Sequence, residues 1–254
     1  MSITIFSYIY SNKTPDFYSM LSIEHSNNVD AAVRYFRENL VQADYYCEKT
    51  SIIGKWHGKF ANHLNLSREV TADNFEKLLR NIHPITGMRL TARNSANRRP
   101  MYDCTFSAPK SVSLMYAITK DEEILKSHQK AVKKAMLEIE ANLQTQMGSG
   151  KGKHYQTTAN GVWAEFVHEF SRPLKIEAEE KETYLPDPQL HSHCTLINCT
   201  RHKNGQIRAV EMGNIKKLAP YYEALYHSYF AQFLIRSGYE LRREGKRWHY
   251  TKNQ

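Results

Sequence analysis

The sequence predicts an α+β domain in which helices cover an antiparallel β-sheet palm. Two long segments, residues 121–147 and 219–237, carry apolar side chains at helical spacing. Three short apolar segments, residues 102–107, 161–170 and 189–200, have the length and composition of strands. The mixture of long helices and short strands favours an α+β arrangement.

The first half of the chain contains two further predicted helices and a loop. Residues 29–47 indicate a helix with a short following element, and residues 73–81 predict a second helix. Residues 84–100 are rich in Pro, Gly, Asn and Arg, which is typical of a loop. The strand at 102–107 is expected to end before Pro109.

In the second half, Asp121 is the predicted N-cap of a helix of about 25 residues. This helix is expected to stop at residues 148–150, Gly-Ser-Gly. The two strands that follow are separated by an acidic run at residues 177–182, for which we expect an exposed loop. Residues 203–205, Lys-Asn-Gly, predict a hairpin turn.

Composition limits the class of protein. A chain of 254 residues with 41% hydrophobic and 11% aromatic residues can form one large domain, alone or with a small satellite. No run of 18 apolar residues occurs, so we expect no membrane insertion. The net charge of +9 is consistent with a nucleic-acid partner, although charge alone favours DNA or RNA only modestly.

Cysteine usage predicts a reducing, cytoplasmic location. Cys47, Cys104, Cys194 and Cys199 are scattered and form no Cys-x-x-Cys pair. We expect Cys194 and Cys199 to be buried as small hydrophobic residues. The apolar opening at residues 1–10 lacks a basic region and a cleavage site, so it does not resemble a signal peptide.

The strongest indication of chemistry is a His-x-His pair on a predicted strand. Because side chains alternate along a strand, His191 and His193 point to the same face. His168 lies on the preceding strand and reaches the same ion if the two strands are neighbours. Three imidazoles leave coordination positions open for substrate and water, as in a catalytic site. A lone His-x-His pair is often structural, so the third histidine is important.

These histidines belong to a wider resemblance. Residues 168–172, HEFSR, and residues 187–193, DPQLHSH, resemble the three-histidine motif of the HUH endonucleases. Within that superfamily the chain is similar to the MOBF-type relaxases, the TrwC-like domains of relaxase-helicases. Residues 103–113, DCTFSAPKSVS, resemble that family's Asp-containing strand and following turn, and residues 56–66 contain a further counterpart, WHGK with LNL. The matches keep the family's order over residues 20–245.

The resemblance implies the HUH/relaxase fold and a conjugative relaxase, which nicks single-stranded DNA at the origin of transfer through a 5′-phosphotyrosyl intermediate and rejoins it. A tyrosine is suited to this chemistry because its phosphodiester retains the energy of the broken bond. Tyr35 is the implied nucleophile, and Tyr45 or Tyr46 the second, accessory tyrosine. Phe36 departs from the family's tyrosine pair. Asp103 is expected to orient a metal-bound histidine or to take the tyrosine proton.

The resemblance also implies a divalent metal ion on His168, His191 and His193. Mg²⁺ or Mn²⁺ is the expected working ion, and Zn²⁺ or Ni²⁺ could occupy the site in vitro. We expect DNA contacts through basic and aromatic side chains. The candidates are Lys110, Arg172, Trp163, Arg98 and Arg99, with Trp248 as a further aromatic candidate. Besides single-stranded DNA, the implied partners are accessory relaxosome proteins and a type IV secretion coupling protein.

The chain departs from the family pattern at its ends. Residues 1–19 are either an N-terminal extension of uncertain role or precede a natural start at Met20, and residues 20–254 form the predicted nicking domain. The chain ends earlier than complete nicking domains, so we expect part of the helices that close over DNA to be absent.

Three alternatives compete with a relaxase. A rolling-circle replication initiator shares the metal motif, but its tyrosine follows the His-x-His pair, whereas the candidates here precede it. A non-catalytic single-stranded-DNA-binding module would retain DNA affinity without the tyrosine. A zinc hydrolase acting on small substrates leaves the tyrosines and the basic excess unexplained.

Overall fold

The computed structural model describes residues 20–41, 52–92, 98–171, 174–178, 181–244 and 247–252. The first half of this part contains β1 (Leu21–His25), α1 (Val29–Tyr35) with a π-helical continuation (Phe36–Leu40), β2 (Lys55–His57), α2 (Lys59–His63), α3 (Ala72–Leu79), β3 (Met101–Ser107), α4 (Lys110–Thr119) and α5 (Glu122–Ala141). The second half contains β4 (Gln144–Met147), a 3₁₀ turn (Gly150–Gly152), β5 (His154–Thr157), β6 (Trp163–Phe170), β7 (Leu174–Ala178), β8 (Lys181–Leu185), β9 (Pro188–Ile197), β10 (Thr200–Arg201), β11 (Ile207–Arg208), α6 (Gly213–Lys217), α7 (Ala219–Arg236), β12 (Tyr239–Glu244) and β13 (Arg247–Lys252).

The centre of the fold is a five-stranded antiparallel sheet in the order β1-β3-β9-β6-β2. β9 is its middle strand and pairs with β3 on one side and β6 on the other. Four two-stranded hairpins are attached to it within the described ranges. Helices α4, α5 and α7 pack on one face of the sheet, and α1 and α3 contribute to the core on the other. This confirms the predicted α+β class with an antiparallel palm.

Most of the predicted elements are present. The helix predicted at 73–81 is α3, and the helix predicted at 219–237 is α7. Asp121 is the N-cap of α5, where its side chain accepts a hydrogen bond from the amide of Glu123. Cys194 and Cys199 are fully buried, as expected.

The predicted end of the long helix is wrong. α5 ends at Ala141, and residues 144–147 form β4, which pairs with β5. Gly148 and Gly150, at the predicted helix end, have φ values of +68° and +52° and shape the turn of this hairpin instead.

Two other predictions need correction. The acidic run at 177–182 is not a loop, because β7 and β8 pair across it with Glu177 opposite Glu182. The segment after Pro109 is not merely a turn, because it forms α4 with Pro109 as its N-cap residue. The helix predicted at 29–47 is α1 with its π-helical continuation, and its last predicted residues, like residues 1–19, lie outside the described ranges.

None of the helices in the described ranges has the length and apolarity that crossing a bilayer requires.

Candidate active site

Three histidines meet on one face of the central sheet. His168 of β6 lies directly opposite His191 of β9, and His193 follows two residues later on the same face. The centres of the rings are 5.2 Å apart for His168 and His191, 5.4 Å for His168 and His193, and 5.0 Å for His191 and His193. The two histidine strands are therefore neighbours, as expected, and all three predicted rings are brought together.

Hydrogen bonds orient two of these rings. Nδ1 of His191 lies 2.7 Å from the backbone oxygen of Gln189, and Nδ1 of His193 lies 2.7 Å from Oδ2 of Asp103. A carbonyl or carboxylate oxygen only accepts, so Nδ1 carries the proton in both rings. Nε2 is then the nitrogen of each ring that can ligate an ion.

The spacing of the rings fits a shared metal ion. An imidazole nitrogen binds a metal at about 2.1 Å, which places the centres of neighbouring ligand rings roughly 5 Å apart. The three measured separations lie at this value. In the described part of the chain, however, no group of three His, Cys, Asp or Glu side chains has the geometry of a complete metal site.

Tyr35 stands next to this cluster at the end of α1. Its hydroxyl donates to Oδ2 of Asp103 across 2.7 Å and lies 3.2 Å from Nδ1 of His193. The side chain of Asn28 caps the start of α1 by accepting from the amide of Ala31. The next residue, Phe36, is buried and stacks on Phe75 with ring centres 4.2 Å apart. Burial of Phe36 fixes the helix so that Tyr35 faces the sheet.

Asp103 contacts both Tyr35 and His193 and is only 5% exposed. Its strand neighbour two residues on, Thr105, places a hydroxyl 3.0 Å from Nδ1 of His193 and 3.4 Å from Oδ2 of Asp103. Burial alone raises the pKa of the Asp103 carboxyl, but the charge of His193 and hydrogen bonds from His193, Tyr35 and Thr105 outweigh burial. The net result is a pKa of Asp103 below its ordinary value, so this group is ionised at neutral pH.

Strand register explains why these side chains are so close. The backbone amide of Ala108, directly after β3, donates a hydrogen bond to the backbone oxygen of Leu190 on β9. Hydrogen-bonded and non-hydrogen-bonded pairs alternate along two antiparallel strands. Thr105 and His193, three positions from this bond, therefore form a non-hydrogen-bonded pair. Opposed side chains approach most closely at such pairs.

The site opens into a cleft of about 630 Å³. Tyr35, Asp103, His191 and His193 all line this cleft. The cleft is therefore large enough to admit more of a substrate than the atoms that react.

The structure corrects two of the predicted DNA contacts. Trp163 is only 2% exposed and stacks against His57, so it is not available to stack on a base. Arg98 donates to the backbone oxygens of Leu79 and Asn198, at 3.0 and 3.4 Å, and burial lowers the pKa of its guanidinium. A guanidinium held by two carbonyls links parts of the fold and is not presented to a phosphate.

The remaining candidates differ in position. Lys110 is ion-paired with Asp187 and donates to the backbone oxygen of Pro188 across 2.8 Å. Arg99 is exposed, and its side chain is hydrogen-bonded to that of Tyr102. Tyr45, Tyr46 and Arg172 lie outside the described residues, as does the side chain of Trp248.

Two residues of the site were missed from the sequence. Thr105 touches both His193 and Asp103, and the backbone oxygen of Gln189 orients His191. Alternation along β3 was the available signal for Thr105, because positions 103, 105 and 107 of one strand share a face. The sequence gives no signal for a backbone acceptor such as the oxygen of Gln189, because every residue has a backbone carbonyl.

Comparison with known proteins gives concordant results. The TrwC relaxase family model matches residues 29–252. The multifunctional conjugation protein TraI of Escherichia coli (strain K12) is 31% identical over 199 residues, which make up 78% of this chain and 10% of that protein. The chain thus spans about a tenth of the length of the curated relatives that it matches.

Solved structures of conjugative relaxase TrwC have the same fold. TrwC in complex with oriT DNA in a metal-bound form is 32% identical with a TM-score of 0.73, and the match covers 91% of this chain and 75% of that one. The metal-free complex with oriT DNA is 31% identical with a TM-score of 0.72, over 90% and 74% of the two chains. On the family match over most of its length and on these relatives, the chain belongs to the TrwC relaxase family.

Proposed function

We propose that this chain is the nicking domain of a conjugative relaxase, which cleaves one strand of DNA at an origin of transfer and rejoins it. The observation that carries the proposal is the position of the Tyr35 hydroxyl, which lies within hydrogen-bond distance of both Asp103 and His193 at the edge of the three-histidine cluster. A nucleophile, a proton acceptor and a candidate metal site thus meet in one cleft.

Family membership supports this substrate. The solved TrwC structures contain oriT DNA, and one of them contains a 27-mer that comprises the recognition hairpin and the cleavage site. The curated relative TraI is a conjugation protein. For this chain we propose single-stranded DNA at an origin of transfer as the substrate.

The geometry suggests how the nick forms. The ionised carboxylate of Asp103 accepts the proton of Tyr35, and the phenolate oxygen attacks the scissile phosphorus. A bond forms between Tyr35 Oη and phosphorus, and the bond from phosphorus to the 3′ oxygen breaks. The 3′ oxygen takes up one proton, from Asp103 or from water, and becomes a 3′-hydroxyl. The product is a 5′-phosphotyrosyl link. Attack by a 3′-hydroxyl on this link reverses the step and rejoins the strand.

We propose His168, His191 and His193 as ligands of a divalent ion. Such an ion, when bound, offsets negative charge on the oxygens of the scissile phosphate. TrwC has been solved in metal-bound and copper-bound forms, which supports a divalent metal in this family. Imidazoles suit Zn²⁺, Ni²⁺ or Cu²⁺, whereas phosphate oxygens and water suit Mg²⁺ and Mn²⁺. We propose Mg²⁺ or Mn²⁺ as the working ion.

The alternatives are less well supported. A rolling-circle initiator uses a tyrosine that follows the His-x-His pair, but here Tyr35 precedes the pair and points at it. A non-catalytic DNA-binding module gives no reason for Tyr35 to share a carboxylate with His193. A location in the cytoplasm, accessory relaxosome proteins and a secretion coupling protein remain part of the proposal as the family's expected setting.

A covalent adduct tests the proposal. We would incubate the chain with Mn²⁺ and labelled single strands from candidate origin regions, and then separate the products on a denaturing gel. We expect a labelled protein band with wild type and none after chelation or with His191→Ala. Tight DNA binding without an adduct under any metal would instead support the binding module.

A further inference from the structure

A chain of hydrogen bonds runs behind the three-histidine cluster, on the face of the sheet that packs against helices. Its centre is Ser192, which lies between His191 and His193 on β9 and points to the opposite face. Oγ of Ser192 lies 3.0 Å from Nε2 of His128 on α5 and 3.4 Å from Oε1 of Glu165 on β6. The residue between the two histidines is therefore linked to a helix and to a neighbouring strand.

The hydrogen bonds of this chain all run in one direction. A carboxylate only accepts, so the Ser192 hydroxyl donates to Glu165 and its oxygen accepts from Nε2 of His128. Nδ1 of His128 is then an acceptor, and the Tyr226 hydroxyl of α7 donates to it across 2.8 Å. Oε2 of Glu165 lies 3.0 Å from Nε2 of His57 on β2. The chain thus connects two helices with three strands of the sheet.

The inner members of the chain are buried in an apolar core. His128 and Ser192 are fully buried, and Glu165 is 7% exposed. The side chains around them belong to the hydrophobic core between the sheet and helices α4, α5 and α7. Taking polar groups out of water costs free energy, which apolar side chains at the same positions would avoid. A buried polar chain whose members are hydrogen-bonded does, however, specify one arrangement of the elements that it joins.

The backbone ladders of β9 are interrupted at His191. On one side β3 ends at Ser107, the residue that pairs with His191. On the other side the register of β6 shifts between His168 and Phe170, directly after the pair of His168 with His191. Backbone pairing therefore supports β9 less on the side of His191 that leads to residue 188 than on the side that leads to residue 197.

Side chains of the helix layer contact β9 on both sides of His191. Ser192 follows His191 and accepts a hydrogen bond from His128. Leu190 precedes it, and its backbone amide donates to Oγ of Ser113 across 3.1 Å. Ser113 belongs to α4 and is 1% exposed. Two helices thus hold the strand from behind where its backbone ladders are interrupted, while His191 faces the cleft.

We propose that His128 is a positioning residue for the metal site, acting through Ser192 on the two histidines that flank it. The inference rests on the proposed function, because it takes His168, His191 and His193 as ligands of a divalent ion. Ser192 points away from the ion, so it acts only on the angle and spacing of the ligand rings. Metal affinity is sensitive to residues that orient the ligands in this way.

Four substitutions separate positioning from general stability. Ser192→Ala removes the hydroxyl at the centre of the chain, and Ser192→Thr keeps one. His128→Phe keeps a ring that packs against Tyr226 but donates no hydrogen bond. Thr200→Val is the matched control, because the buried hydroxyl of Thr200 donates to the backbone oxygen of Asn160 across 2.7 Å. Thr200 lies on β10, outside the central sheet that carries the histidines.

The test measures Mn²⁺ binding by titration calorimetry and the visible absorption of bound Co²⁺, which reports ligand geometry, with no DNA present. We expect Ser192→Ala and His128→Phe each to weaken Mn²⁺ binding about tenfold and to change the Co²⁺ spectrum. Ser192→Thr should restore both properties. Because His128 acts through Ser192, the double variant should bind Mn²⁺ no more weakly than Ser192→Ala. Thr200→Val should lose a similar amount of stability in urea but keep the affinity and spectrum of wild type.

Wild-type affinity and spectrum in Ser192→Ala would overturn the positioning role. An equal loss of affinity in Thr200→Val would also overturn it, because stability alone would then account for the effect. Additive losses in the double variant would show that His128 does not act through Ser192, and absence of metal binding by wild type would leave no site to position.

The metal assay is independent of the adduct test, so the two proposals fail separately. An adduct with wild type and unchanged metal binding in Ser192→Ala would remove the positioning role and leave the relaxase. A specific loss of metal binding in Ser192→Ala with no adduct from wild type would leave a positioned metal site without the proposed reaction.

Discussion

The hydroxyl of Tyr35 donates a hydrogen bond of 2.7 Å to Oδ2 of Asp103, a residue 68 positions further along the chain. The same carboxylate oxygen lies 2.7 Å from Nδ1 of His193. One buried oxygen therefore links the candidate nucleophile to a candidate metal ligand. This arrangement requires the end of α1 to lie over β3, and the packing of Phe36 on Phe75 holds it there.

Removing the charge of Asp103 should impair the reaction more than it impairs DNA binding. We expect Asp103→Asn to slow adduct formation by about 10²- to 10³-fold, because the amide does not take the proton of Tyr35. The rate is measured by quenched time courses on denaturing gels. Asp73→Asn, at an exposed ion pair on α3, should leave the rate unchanged. Equal rates in Asp103→Asn and wild type would exclude this role.

The three histidines should act as a unit in metal binding. We expect His168→Ala, His191→Ala or His193→Ala each to weaken Mn²⁺ binding at least tenfold, since each removes one of three ligands. Titration calorimetry with Mn²⁺ measures the effect without any DNA. The exposed His154 on β5 is the matched control, and His154→Ala should bind Mn²⁺ as wild type does. Binding that survives all three substitutions would place the ion elsewhere.

His128 should make the fold sensitive to acid. It is fully buried under the sheet, with its ring nitrogens 2.8 Å from the Tyr226 hydroxyl and 3.0 Å from the Ser192 hydroxyl. Burial, with a smaller contribution from the charge of His191, lowers the pKa of His128 from 6.5 to about 3. The unfolded chain takes up this proton near pH 6.5, but the folded chain does not until about pH 3.

Acidification between these two pH values therefore favours the unfolded chain. The free energy of unfolding should fall by about 1.4 kcal/mol per pH unit from this residue alone. Urea unfolding at several pH values measures the slope, which should be shallower in His128→Gln by one proton. His154→Gln should retain the full slope. A slope that is the same in His128→Gln and wild type would show that His128 does not carry the effect.

Arg98 and Arg99 should have opposite effects although they are adjacent. Arg98→Gln loses two hydrogen bonds to backbone oxygens, and we expect it to lower the free energy of unfolding by roughly 2 kcal/mol. Its effect on the salt dependence of DNA binding should be small. Arg99→Gln should leave stability nearly unchanged and reduce the salt slope. Denaturant unfolding measures the stability of both variants, and fluorescence anisotropy measures the salt dependence of their DNA binding. A loss of stability in Arg99→Gln together with a reduced salt slope in Arg98→Gln would refute both assignments.

Sequence patterns predicted the fold best where the periodicity was long. α5, α7 and the strands that carry Asp103 and the histidines were all expected, because apolar spacing over many residues reports which side of an element is buried. The end of α5 was predicted at the wrong place, because Gly148 and Gly150 are compatible with a helix end and with a hairpin turn. Only the pairing of β4 with β5 distinguishes the two.

Within the site, residue type and strand alternation located the histidines, but tertiary packing decided the rest. The resemblance singled out Tyr35 among sixteen tyrosines, and the structure shows that it reaches Asp103. Residue type makes Trp163 a candidate for stacking on a base, but this side chain lies on the strand face that packs against helices. The contact between Lys216 and His25 has no signal in the sequence, because α6 meets β1 only in the folded chain.

The most direct test of the account identifies the residue that becomes linked to DNA. The adduct formed with Mn²⁺ and an origin-region strand is digested with protease and nuclease, and the peptide that carries the nucleotide is sequenced by mass spectrometry. We predict that the nucleotide lies on Tyr35, and that Tyr35→Phe forms no adduct while Tyr221→Phe, at an exposed tyrosine of α7, forms it normally. A nucleotide on Tyr45 or Tyr46, with an undiminished adduct in Tyr35→Phe, would contradict the assignment of Tyr35 as the nucleophile.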